Sequence, residues 1–286
     1  MDKQVIKEVA SKHNLTSEDV YALTHTETHR TWDDIVADEI EHQATKRLAR
    51  PVMTDNRSQT KSAHGHQMMT QSPTSLQTFL TCPKQYHAKY ISKEVKFEQN
   101  DHATFGDLVH KSIENYLKAT ISEPLPTILH PLQPTLDKMR QLLFGAETKL
   151  AVDKQGNSVE FFDKTAYQRC IVDAILTNAD QSVVVCVDWK TGKKRDAQTQ
   201  HDFIKKCAKA KFPNAKIVTL FLYFFVGEYN RQEYTGQPLT SLDKKMNQLH
   251  SAYANDTFQP RPSGLCGKWC DVLSCQYNGR NKIENF

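Results

Sequence analysis

No stretch of this chain of 286 residues is long and apolar enough to cross a bilayer. The longest apolar run, Ile217 to Val226, spans ten residues and is interrupted by Thr219, against roughly 20 needed for a spanning helix. The opening residues 1–14 contain no apolar stretch of signal-peptide type. No membrane partner is expected, and the expected location is cytoplasmic. Strong net charge is also missing. The formal total of +4 does not by itself announce a nucleic-acid partner. An even complement of cysteines is missing too: there are seven, which argues against a simple all-disulfide framework and fits reduced thiols. No internal repeat is visible, and no Walker-type G-x4-G-K-[ST] sequence occurs, so any motor would have to be another chain.

What is present divides unevenly. Residues 1–70 carry a net charge of −2 and six of the twelve histidines, whereas residues 71–286 carry +6. The expected organisation is a helical N-terminal arm over 1–50, a polar linker over 51–71, and a main domain over 72–286 that ends in a cysteine-rich tail. In the arm, Val5, Ile6, Val9 and Ala10 give one short apolar face. Thr31 is a candidate N-cap for a helix through Trp32, Ile35, Val36 and Ile40. In the main domain, Leu76, Phe79 and Leu80 share a helical face that Cys82-Pro83 interrupts. Helices are expected over Phe105 to Leu117, around Met139 to Phe144, over about 197–211 and over about 240–254. Strands are expected over Thr148 to Val152, Cys170 to Leu176, Val183 to Trp189 and Ile217 to Val226. This order predicts an α/β fold with one helix between the later strands.

The sharpest local signal is Val-Asp-Trp-Lys-Thr-Gly-Lys at 187–193. An apolar strand ends there by presenting Asp188 and Lys190, which a period of two places on one face. Upstream, the preceding β run places Asp173 after Ile171 and Val172, so adjacent strands could bring the two aspartates together. Paired carboxylates can hold Mg²⁺ or Mn²⁺, and a lysine beside them can orient water and stabilise developing negative charge. His110, on an amphipathic helix with Glu114 four residues on, is a further candidate ligand. Glu147 is a fourth, for which an exposed acid at a strand edge is an equal reading. Between Asp188 and Lys211 lie eight basic residues, including Lys193, Lys194, Arg195, Lys205 and Lys206, against three acids, a net of +5 over 24 residues. Such a strip can track a phosphate backbone without reading sequence. Tyr86, Tyr90 and Tyr116 could stack bases, with core packing as the plainer reading.

Four cysteines stand apart: Cys82, and Cys266, Cys270 and Cys275 in a C-x3-C-x4-C run. Cys170, Cys186 and Cys207 fall in expected strands or helix, where a thiol is a small hydrophobe. For the four, a [4Fe–4S] cluster, a Cys₄ zinc site and four unligated thiols are the alternatives.

In their order along the chain these motifs resemble the PD-(D/E)XK nuclease superfamily, in its RecB-like or AddB-like branch, over roughly 72–280. Ser72 to Leu76 with Phe79 and Cys82 to Tyr86 is similar to that branch's opening helix. Gly106 to His110, Asp173, and Asp188-Trp-Lys190-Thr-Gly-Lys193 are similar to its metal and catalytic motifs, and Gln200 to its helical glutamine. The C-terminal cysteine run is similar to phage-encoded versions. Two positions depart from the pattern: Cys170 stands where a glycine is usual, and Ile204 where a tyrosine is frequent. The cysteines also depart from the more usual C-x2-C-x5-C.

The resemblance implies a restriction-endonuclease-like mixed sheet flanked by helices, and a Mg²⁺- or Mn²⁺-dependent exonuclease on single strands or DNA ends. It implies metal ligation by His110, Asp173, Asp188 and the Trp189 carbonyl. It implies catalysis by Lys190 with Gln200, and an iron–sulfur cluster on Cys82, Cys266, Cys270 and Cys275. DNA recombination, repair or genome processing is the implied setting, with a helicase or recombination protein as a candidate partner. A catalytically silent DNA-binding module of the same fold, or a nuclease subunit of a larger complex, is the alternative. Oligomeric state is not expressed in the sequence.

Overall fold

Ser72 starts the first helix. Its hydroxyl accepts the Ser75 N–H, while Ser75 Oγ accepts the Ser72 N–H, and Pro73 occupies the first turn. This reciprocal cap satisfies two otherwise orphaned donors. The helix α1, Pro73–Thr81, buries Leu76 and Phe79 and stops at Cys82, whose extended backbone is what the following proline demands. Helix α2, Pro83–Tyr86, continues as a wider turn over His87–Ile91. The computed structural model describes residues 69–95, 101–119, 125–223 and 227–282. The expected arm over 1–50 and nearly all of the linker lie outside the described residues.

Three further helices follow α2: α3 at Asp101–Lys118, α4 at Gln133–Gln141 after a 3-10 segment at Thr127–Leu132, and α5 at Gln198–Lys211. A last helix, α6, spans Thr240–Asn255. Six strands form one mixed sheet: β1 Leu143–Val152, β2 Ser158–Val159, β3 Gln168–Thr177, β4 Val183–Lys190, β5 Lys216–Tyr223 and β6 Glu228–Tyr234, in the spatial order β2-β1-β3-β4-β5-β6. Only the β4–β5 pair is parallel, and α5 supplies the crossover such a pair requires. The fold is therefore the mixed sheet flanked by helices that the resemblance implies.

The two faces of the sheet carry different cores. Cys170, Val172, Val184, Cys186, Ile217 and Phe221 pack against Ile204, Cys207 and Ala208 of α5. Ala174, Leu176, Val187 and Trp189 pack on the other side with Val109, Ile113 and Leu117 of α3 and Leu136 and Met139 of α4. Cys170, Cys186 and Cys207 are thus core residues. A third cluster joins α1, Tyr86 and α6 through Phe203; Tyr86 is buried there, as packing rather than as a base platform.

The structure departs from the sequence reading at three places. The helix expected around Met139 to Phe144 ends at Gln141, and Leu143 and Phe144 open β1; a short apolar run fits either period. Strand β6, EYNRQEY, has no apolar periodicity because it is an exposed edge, held by its ladder to β5 and by the Lys216–Glu233 ion pair at 2.5 Å. Gln71, expected in the linker, is fully buried. Its backbone exchanges hydrogen bonds with Tyr167 and Arg169, and its amide engages Tyr86 Oη at 2.8 Å and Ser75 Oγ at 2.9 Å.

Replacing Gln71 by alanine strands buried hydroxyls, at a cost of about 1–3 kcal/mol. Urea unfolding of Gln71→Ala should show this loss, and an unchanged midpoint would put Gln71 outside the folded unit.

Candidate metal and catalytic centre

Strands β3 and β4 pair antiparallel as far as Ala174 opposite Val187. The next residues in that register are Asp173 and Asp188. Here Asp173 turns its side chain into the ladder, and its Oδ2 accepts the Trp189 N–H at 2.6 Å. That bond satisfies a buried backbone donor and fixes the carboxylate. The alternation of β3 breaks at this residue. Val172 faces the α5 side, whereas Ala174 faces the α3 side. Strand β1 breaks in step: Leu150 faces α5 and Ala146 faces α3. Between them Glu147 takes a left-handed backbone, φ 51°, which costs a non-glycine residue roughly 1–2 kcal/mol. Such strain persists where the surroundings impose it, and it clusters at functional sites.

The distortion gathers ligands. His110 on α3 places Nδ1 3.3 Å from Asp173 Oδ1. Four residues earlier, a side chain at Gly106 would meet Thr191 Oγ1 at 3.4 Å, so α3 lies close against the chain just past β4. His110, Glu147 and Asp173 offer ligand atoms all within 4.8 Å of one another. Burial disfavours the charged form of His110, but the hydrogen bond to Asp173 and its charge outweigh this and raise the imidazole above its ordinary value. Burial, then the charges of Asp173 and Glu114, raise Glu147. Glu114 itself is held by Lys111 at 2.6 Å and Lys118 at 2.7 Å rather than by His110.

Asp188 lies beside this group and not within it. It is 3% exposed, and burial followed by the charge of Asp173 raises it to about 6, against the pull of Lys190. Its Oδ1 accepts from Gln200 Nε2 at 2.5 Å. Its Oδ2 lies 2.6 Å from Lys190 Nζ, but no donor points at it along a hydrogen-bonding direction. Lys190 also donates to Gln200 Oε1 at 2.9 Å. Gln200 thus bridges acid and lysine, with its amide nitrogen on one and its oxygen on the other. Three carboxylates and one imidazole gathered around a single lysine suit a hard divalent cation such as Mg²⁺ or Mn²⁺.

Sequence reasoning missed the floor of this centre. Lys190 Nζ stands 5.1 Å from the Phe221 ring centroid, and Phe221 stacks on His201 at 3.8 Å. His201 donates to or accepts from Thr219 Oγ1 at 2.7 Å, and burial, then the charge of Lys205, push it down to about 4. The signal was the adjacency of His201 to Gln200.

The expected DNA strip is not all at the surface. Lys193, Lys194 and Arg195 are exposed past β4, with Lys194 paired to Glu228 at 2.7 Å. Lys205 is a correction: it is 6% exposed and bonds Gln232 at 2.5 Å beside Asp202. Helical spacing puts it on the inward face with His201, Ile204 and Ala208. Lys206 is half-exposed, 3.6 Å from Asp243.

Cys82, Cys266, Cys270 and Cys275 line one pocket with Arg261 and Val272. The Arg261 N–H points at Cys82 Sγ and the Ser263 N–H at Cys266 Sγ, each at 3.4 Å. Burial, and then the neighbouring Cys266, Cys275 and Cys82, raise the Cys270 thiol, against a backbone hydrogen bond that lowers it.

Residues 70–277 match the model of a family described as the PD-(D/E)XK nuclease superfamily. A solved structure titled "Crystal structure of SSO0001" aligns over 87% of this chain and 99% of its own, at 15% identity and a TM-score of 0.42. No curated protein matches the chain.

The raised Asp188 gives a pH test. Folded Asp188 titrates near 6 rather than at its usual 3.8, so the metal-free fold loses stability as pH rises through that window and does not regain it above. Asp188→Asn should therefore melt several degrees above the wild type at pH 8 and closer to it at pH 5. Mn²⁺ should raise the wild-type melting temperature at pH 8 and raise the variant's by less, because His110, Glu147 and Asp173 remain in place. A variant less stable than wild type at both pH values would contradict the burial cost.

Proposed function

This chain belongs to the PD-(D/E)XK nuclease superfamily, and on that footing we propose that it is a metal-dependent deoxyribonuclease of the RecB-like or AddB-like branch. We propose an exonuclease acting on single strands or duplex ends in recombination, repair or genome processing, in the cytoplasm of a host cell if the gene is a phage's. The observation that carries this reading is one contiguous arrangement: Lys190 and Asp188 bridged by Gln200, beside the His110, Glu147 and Asp173 group.

His110, Glu147, Asp173 and Asp188 would hold the divalent cation. When bound, the cation supplies polarisation of the scissile phosphate and a more acidic water. The protein's own part is positioning. The Trp189 N–H holds Asp173, Asp173 holds His110, and Gln200 fixes the Lys190 ammonium against Asp188. From there Lys190 orients the attacking water and offsets the negative charge that develops on the phosphate oxygens. The neutral, stacked His201 and Phe221 keep the base of the lysine dry, which strengthens each of these contacts.

The reading of a [4Fe–4S] cluster on Cys82, Cys266, Cys270 and Cys275 is supported by their lining one pocket with backbone N–H groups aimed at two of the sulfurs, with a Cys₄ zinc site as the alternative.

Asp173→Ala and Lys190→Ala should each reduce Mn²⁺-dependent digestion of end-labelled linear DNA by about 100-fold or more, with circular dichroism unchanged. Full activity in both would refute the site, and cutting of circular DNA as fast as linear would refute the exonuclease mode. Protein purified without oxygen should be brown and contain about four irons per chain; colourless protein with one zinc would overturn the cluster.

A further inference from the structure

The α3 side of the sheet is only half covered. Helices α3 and α4 shield Ala146, Ala174 and Leu176, but beyond Glu147 and Asp173 the same side exposes Lys149 and Ile171, with Ala151 buried and Arg169 half-buried beside them. There β1 and β3 turn Leu150, Val152, Cys170 and Val172 into the α5 core, which leaves Lys149, Ala151, Arg169 and Ile171 on the opposite face. Lys149 is paired with Ile171 across the strands, and Ala151 with Arg169. Lys149 is exposed, and Ile171 is 41% exposed. Two phenylalanines from the β2–β3 connection stand beside this face. Lys149 Nζ lies 5.7 Å from the Phe161 ring and 5.4 Å from the Phe162 ring, and the Arg169 guanidinium lies 5.1 Å from Phe161. The rings meet edge to face at 5.0 Å, and Phe162 is 64% exposed.

Three observations give this face an occupant. First, it is continuous with the metal group. Ile171 and Arg169 sit two and four residues along β3 from Asp173, roughly 7 and 13 Å at 3.3 Å per residue. Second, its charge is complementary to phosphate. Lys149 is its exposed cation, and Arg169 lies half-buried against the Phe161 ring; Glu160 and Asp163 flank the rings on the turn, and Asp163 is bonded to Thr165. Among the described residues Lys149 makes no ion pair. Third, an exposed aromatic ring beside lysine and arginine is the composition that binds unstacked bases without reading their sequence.

We propose that this face is a single-strand platform. The backbone of an incoming strand runs along Lys149 and Arg169, a base stacks on Phe162, and the strand leads to the His110, Glu147 and Asp173 group. This rests on the nuclease reading above and names where its substrate lies. It also moves the main strand contact away from the lysine-rich helix, where Lys205 is buried.

The test uses the full chain carrying Lys190→Ala, so that bound strands survive, with Mn²⁺ and a short oligonucleotide containing 2-aminopurine. Adding Phe162→Leu should weaken binding about tenfold and abolish the quenching of 2-aminopurine, and Phe162→Tyr should restore both. Lys149→Ala should weaken binding alike for all sequences and lower the salt slope by about one. If the oligonucleotide binds but neither Phe162→Leu nor Lys149→Ala changes its affinity, the platform is overturned while the nuclease reading stands, and the face falls to a protein partner. If Phe162→Tyr does no better than Phe162→Leu, stacking is overturned. A wild-type protein that neither cuts nor binds the oligonucleotide removes the nuclease reading and the platform with it.

Discussion

Everything at the centre of this fold follows from two aspartates that β3 and β4 carry to the same level of the sheet. Asp173 and Asp188 face each other where the ladder ends, in a setting that excludes water from Asp188 almost completely. Two like charges so placed repel, and burial adds to the cost. The surrounding chain answers with the few groups that can reach them. The Trp189 N–H caps one acid, Lys190 and Gln200 engage the other, and His110 leans in from α3. Even so, three carboxylates, those of Glu147, Asp173 and Asp188, share one imidazole and one ammonium. An arrangement with that residual demand is more readily completed by a cation than by further packing, which is why the proposed chemistry and the proposed metal belong to one argument.

The position of these groups relative to the sheet also matters. Asp188 and Lys190 share the α5 side with Gln200, whereas His110 approaches from the α3 side. A regular β3 and β1 would keep the two sets on opposite faces. The break in alternation at Asp173 and the left-handed Glu147 opposite it let a carboxylate from the middle of the sheet meet a helix on the far side. The strain at Glu147 is thus coupled to the assembly of the site.

Much of this was legible in the sequence because it is written in short periods. Asp188 and Lys190 share a face by the simplest rule of strands, and the apolar residues before Asp173 and Asp188 mark both strands as interior. His110 on α3 and Gln200 on α5 could be placed from resemblance to known motifs. Other features have no local signature. The polar β6 is specified by its neighbour's ladder, and the boundary between α4 and β1 falls inside an apolar run that either period accepts. Lys205 reads as one basic residue among eight, since only the packing of α5 decides which of its lysines turn inward. Gln71 looks like linker until its amide is seen between Tyr86 and Ser75. The pairing of Phe221 with Lys190 depends on a parallel crossover and joins residues 31 positions apart in sequence.

The same asymmetry explains why the sheet has an open face next to its reactive end. Helix α5 runs along the sheet and covers β1, β3, β4 and β5 from one side. On the other side α3 and α4 pack over Ala146, Ala174, Leu176 and Val187, and α3 brings His110 to the end of the β3–β4 ladder. Covering the remaining face with another helix would bury Lys149 and Arg169, at a desolvation cost their aromatic neighbours could offset only in part. Left open, it presents cations and a ring surface in line with the buried acids. A polymer with charged phosphates and flat bases satisfies both demands at once, which is the physical basis for assigning the face to a substrate strand rather than to core that failed to form.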